Sequence, residues 1–76
     1  MVTIKFFASL REQVGRGDLR IAQKDGQTVL DAWRQACPGM PLTDGIMAAV
    51  NHDYVERDHV IKDGDEVAFF PPVTGG

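Results

Sequence analysis

One segment of this chain decides what the remainder must build. Wound at about 100° per residue, Val29, Leu30, Ala32, Trp33, Ala36 and Cys37 fall in a single arc, with Asp31, Arg34 and Gln35 opposite. Thr28 stands before this stripe as an N-cap, and Asp31 three residues on completes a variant of the capping box. Pro38-Gly39 ends the helix. A single amphipathic helix cannot bury its apolar arc against itself, so it needs a sheet to cover. The flanking segments supply strands. Val2, Ile4 and Phe6 alternate with Thr3, Lys5 and Phe7, which predicts a strand over residues 2–7 in which Phe7 breaks the polar side. Ala8 to Val14, with Leu10 and Val14 four apart, predicts a short helix closed by Gly15 and Gly17. Leu19 and Ile21 mark a second strand that stops at the Lys24-Asp25-Gly26 turn. Residues 40–45 read as a loop, Ile46 to Val50 as a third strand, and Asn51-His52-Asp53 as a turn into Tyr54-Val55. Lys62-Asp63-Gly64-Asp65 is a tight turn, and Val67 and Phe69 alternate with Glu66, Ala68 and Phe70 in a last strand. The predicted class is α+β, one mixed sheet under one main helix, with residues 1–70 as the body and 71–76 as an extended tail.

Size narrows the functional classes. Seventy-six residues make one domain. A core this small supplies only about 3–5 kcal/mol unless disulfides, metals or a partner add to it. One cysteine forms no internal disulfide, and one cysteine with two histidines is a poor zinc set. Cys37, on the apolar arc, reads as an inert buried thiol. His52 and His59, beside Asp53 and Asp58, fit no ligand spacing, so no metal is expected. Eight Lys and Arg against eleven Asp and Glu give a net charge of −3, which argues against nucleic acid. The absence of a long apolar run or a signal-peptide pattern predicts a cytoplasmic chain. Enclosing a substrate in so small a body is difficult, which favours a carrier, modifier or binding subunit with no complete active site of its own.

The closing string, Phe69-Phe70-Pro71-Pro72-Val73-Thr74-Gly75-Gly76, carries the chemistry. Pro71 and Pro72 lack amide donors and fix φ, so the strand must stop and the chain must leave stiffly extended. Val73 and Thr74 favour continued extension. Gly75 and Gly76 have no side chains, which lets the terminal carboxylate enter a narrow channel of another protein. That carboxylate is ionised and lacks a leaving group until ATP converts it to an acyl adenylate. A sulfur nucleophile then yields a thiocarboxylate, and a lysine amine yields a protein conjugate. Nothing else in the chain is suited to bind or hydrolyse ATP.

Three strings resemble the small, sulfur-carrying subunit of molybdopterin synthase, the MoaD type. They are Lys5-Phe6-Phe7-Ala8-Ser9-Leu10-Arg11-Glu12, Ala49-Val50-Asn51, and Asp63-Gly64-Asp65-Glu66-Val67-Ala68 running into the tail just described. Residues 16–45 match in pattern only. The resemblance implies a ubiquitin-like β-grasp fold, in agreement with the element order above. It further implies that Gly76 is adenylated by a separate E1-like enzyme using ATP and is converted to a thiocarboxylate by a sulfur donor. The tail then enters the large synthase subunit, in a heterotetrameric assembly, where sulfur passes to cyclic pyranopterin monophosphate to build the molybdopterin dithiolene. No cofactor is bound by the small subunit itself. The alternatives within reach of the same residues are sulfur delivery to a thiazole, an amino acid or a tRNA base, and conjugation to lysines through Gly76.

First and last strands lie side by side in a β-grasp sheet, so Phe7 and Phe70, each on the nominally polar side, are expected to form one exposed apolar patch. The resemblance adds Tyr54 and Arg11 as positions that contact the large subunit.

Overall fold

A computed structural model describes residues 1–72 of the chain. The elements run β1 (Val2–Phe6), α1 (Ala8–Val14), β2 (Asp18–Ile21), α2 (Val29–Ala36), β3 (Met47–Val50), β4 (Asp53–Val55) and β5 (Glu66–Phe70). The strands form one sheet in the order β2-β1-β5-β3-β4. β1 and β5 pair in parallel, and the other three pairings are antiparallel. This is the mixed sheet and main helix expected from the sequence.

Alternation along the strands sends Val2, Ile4, Phe6, Ile21, Ala48, Val50, Val67 and Phe69 to one face, where they are buried. There they meet Val29, Ala32 and Trp33 of α2, with Leu10, Cys37 and Ile61 filling the margins. Each large side chain fully withdrawn from water contributes roughly 1.5–3 kcal/mol. The Trp33 indole N–H donates to the Met40 carbonyl at 2.8 Å, so its one polar atom is satisfied and the loop after α2 is tied down.

The capping box forms as expected: Thr28 Oγ1 accepts from the Asp31 amide at 3.2 Å, and Asp31 Oδ2 accepts from the Thr28 amide at 3.0 Å. The amide of Thr28 holds the Asp31 carboxyl below its ordinary range, assisted by the Thr28 side chain. Two further orphan amides of the first turn are met from outside, Val29 N–H by the His59 carbonyl and Leu30 N–H by that of Arg57.

Three boundaries differ from the sequence reading. β1 stops at Phe6, because Phe7 is already the N-cap of α1, although its amide still reaches the Phe69 carbonyl at 3.1 Å. β3 begins at Met47 rather than Ile46, because the Ile46 amide turns back to the Thr43 carbonyl at 3.1 Å and belongs to the preceding turn. The β3–β4 turn needs only Asn51 and His52, both at positive φ (49° and 76°), so Asp53 joins β4. Two such residues match the twist of a tight hairpin.

Candidate functional site

The sheet face turned away from α2 carries the expected patch. Phe7 and Phe70 stack with ring centroids 4.9 Å apart and planes 10° from parallel. Phe7 reaches this position because the chain bends sharply after it, with Ala8 at φ 53°. Such a left-handed residue costs about 1–3 kcal/mol, which surrounding structure must offset. Tyr54 adds a third ring, 6.0 Å from Phe70 and tilted by 53°. Phe7 is 42% exposed and Tyr54 67% exposed.

The register explains why these rings meet. Ala49 lies opposite Ala68 on one side and Tyr54 on the other. Two small side chains thus floor the middle of the open face, and both are buried there. The same register sets Met47, 44% exposed, opposite Phe70. Met47 belongs to the patch, although the sequence reading passed over it. The alternation of Met47 with buried Ala48 carried the signal, but only the strand pairing shows which ring it joins. An adaptable thioether beside three aromatic rings is suited to fitting a partner surface. Lys5 and Glu66 close one side of the patch through an ion pair of 3.2 Å.

Arg11 lies on α1 and lines one groove with Phe7, Lys5, Gly17 and Asp18. A β-carbon at Gly17 would come within 3.0 Å of its guanidinium, so the arginine lies flat across this glycine with its charge beside the aromatic patch. The expected interface residues Phe7, Arg11, Tyr54 and Phe70 therefore share one side of the molecule. Of the tail, Pro71 is half-buried and Pro72 exposed at the end of β5, whereas Val73, Thr74, Gly75 and Gly76 lie outside the described residues.

The remaining candidates stand apart from this surface. Cys37 is buried under α2, and that burial pushes its thiol up, away from the nucleophilic thiolate. His52 and His59 are exposed on separate turns.

A family's sequence profile settles what this body is, matching residues 4–76 as the ThiS family. The chain belongs to the ThiS family. Within it, the molybdopterin synthase sulfur carrier subunit of Escherichia coli K12 is 47% identical over 83 aligned positions that take in the whole of both chains. Small archaeal modifier protein 1 of Haloferax volcanii superposes with a TM-score of 0.81 at 30% identity, covering 95% of this chain and 97% of that one. Subunit 1 of a putative molybdopterin converting factor from Pyrococcus furiosus gives 0.76 at 31% identity, covering 95% and 97%. This ThiS-family chain has the ubiquitin-like β-grasp fold, with β1 and β5 side by side as that fold requires. Among the described residues no helix is long and apolar enough to cross a membrane.

Proposed function

We propose that this chain is the sulfur carrier subunit of a molybdopterin synthase and acts in the cytoplasm. Gly76 is the reacting residue. Its carboxylate attacks the α-phosphorus of ATP in the active site of an E1-like partner, releasing pyrophosphate and forming an acyl adenylate. A hydrosulfide equivalent from a sulfur-donor enzyme then displaces AMP, and the new carbon–sulfur bond leaves a terminal thiocarboxylate. In the large synthase subunit this anionic sulfur attacks an oxygen-bearing carbon of cyclic pyranopterin monophosphate, and the carbon–oxygen bond there breaks, the oxygen leaving as water or on the phosphate. Water cleaves the acyl–sulfur bond, and the carboxylate is regenerated for the next charge. Two such transfers build the dithiolene. ATP and the catalytic side chains belong to the partners; this chain binds no cofactor of its own and serves as a recharged co-substrate.

The observation that carries this reading is the full-length likeness to sulfur carrier subunits together with a tail whose residues suit that chemistry. Pro71-Pro72-Val73-Thr74-Gly75-Gly76 is stiff where it must project and bare where it must thread. The patch of Phe7, Phe70, Tyr54 and Met47, with Arg11 beside it, supplies the surface by which the large subunit holds the body while the tail reacts.

Similarity to a modifier protein supports a second reading, in which Gly76 is joined to lysine amines of other proteins. Intact-mass measurement after incubation with the activating enzyme, ATP and a sulfide source separates the two. Replacement of one oxygen by sulfur is expected, and high-mass lysine adducts in its place overturn the carrier reading. Deleting Gly76, or adding a residue after it, abolishes sulfur transfer while folding and partner binding persist.

A further inference from the structure

We infer that Gly45 is a positioning residue, a seat without a side chain that sets the direction in which the tail leaves the body; this rests on the carrier reading for its functional meaning. The last paired residues of β3 and β5 are Met47 and Phe70. Continuing that antiparallel register two steps places Gly45 against Pro72. Side chains opposite each other in such pairs normally keep their β-carbons about 4.5–5.5 Å apart. Here a β-carbon built on Gly45 would lie 2.9 Å from Pro72 Cβ and 3.4 Å from Pro72 Cγ. The proline ring occupies the space that any other residue's side chain would fill.

Conformation does not explain this glycine. Among the described residues the positive-φ glycines are 15, 26, 39 and 64, and Gly45 is not among them, so alanine there meets no left-handed strain. What alanine does not fit is the ring above it. Pro71 and Pro72 have no amides with which to extend the ladder, and among the described residues no backbone amide donates to either carbonyl, so hydrogen bonds do not guide the chain beyond Phe70. Contact between the ring and bare backbone takes over that task. The seat is itself held: Asp44 beside Gly45 pairs with Arg57 at 3.1 Å, and the same guanidinium donates to the Leu42 carbonyl at 3.2 Å. Pro72 is exposed, so a methyl group at position 45 is relieved by swinging the tail, not by disturbing the core.

The test is Gly45→Ala, measured as pyrophosphate release by the activating enzyme, with an NMR contact between residues 45 and 72 as a readout free of any enzyme. The contact is present in the unaltered chain and displaced in the variant. The variant lowers kcat about tenfold, as misplacement of a reacting group does. KM shifts by less than about twofold, because the folded body that the activating enzyme must bind is unchanged. The melting temperature stays within about 4 °C. Pro72→Gly removes the ring, and the Gly45→Ala/Pro72→Gly double variant then runs at the rate of Pro72→Gly alone. An unchanged kcat in Gly45→Ala overturns the proposal, as does a double variant slowed by the product of the two single effects. Should the unaltered chain release no pyrophosphate, the carrier reading falls, and the seat is judged by the NMR contact, whose absence overturns it.

Discussion

Phe69 and Phe70 are neighbours on β5 and point to opposite faces of the sheet. Phe69 meets Trp33 at 4.9 Å, edge to face, and Phe6 at 6.0 Å, and no part of it is exposed. Phe70 stacks on Phe7 at 4.9 Å and meets Tyr54 at 6.0 Å, with both of these partners open to solvent. Each face thus holds a set of three aromatic residues. The inner set is closed by α2; among the described residues no element covers the outer set. The same side chain contributes to folding on one face and is available for association on the other, and the period of two in a strand is what separates the roles.

The largest effect that can test this contrast is Phe69→Ala. Emptying a buried aromatic site costs about 3–5 kcal/mol, as much as the whole stability of a core this size. The variant is expected to be largely unfolded by circular dichroism and to bind no partner. Phe70→Ala should reverse the pattern. Affinity for the large subunit, measured by calorimetry, falls about tenfold or more, while stability drops by about 1 kcal/mol or less. Equal losses of stability and binding would remove the distinction between the faces. Met47→Ala and Tyr54→Ala, nearer the rim, should each weaken binding by about threefold without moving the denaturation midpoint. A core-sized loss of stability from either would place these residues in the fold and not in the interface.

The smallest effect concerns the turn that aligns β5. Asp65 Oδ2 accepts from the Lys62 amide at 2.8 Å and Oδ1 from Asn51 Nδ2 at 2.9 Å. Chiefly the Lys62 amide holds its carboxyl below the ordinary range. A carboxyl lowered by folding contributes stability above its unfolded pKa, near 4, and loses it as the pH falls through the folded value. Melting temperature should therefore decline as the pH drops below about 4, with Asp31 contributing to the same slope. Asp65→Asn should lower the neutral-pH midpoint by about 2–5 °C and make that decline shallower. An unchanged acid slope would assign it to other carboxyls.

Much of this was legible in the sequence because it depends on local periodicity. Thr28, Asp31 and the arc from Val29 to Cys37 specify α2 without reference to any other segment. Phe7 and Phe70 were legible for a related reason, since each breaks an alternation that its neighbours keep. Met47 was not, because membership of the patch depends on a register fixed by long-range pairing. Gly45 was hidden more deeply. A glycine needed for positive φ leaves a turn signature, whereas one needed for space leaves none, and the ring that needs the space stands 27 positions away. The boundary shifts at Ile46 and Asp53 follow from turns, one that draws the Ile46 amide back to Thr43 and one that two residues suffice to close.

The place of β5 in the sheet bears on how the chain is made. It leaves the ribosome after the other four strands, yet β1 and β3 both need it as their shared neighbour. A polypeptide interrupted before Glu66 has β1–β2 and β3–β4 as separate two-stranded pieces, and such pieces are marginal in water. Half-finished copies therefore remain open to proteolysis, and without Phe70 they cannot assemble the outer aromatic patch.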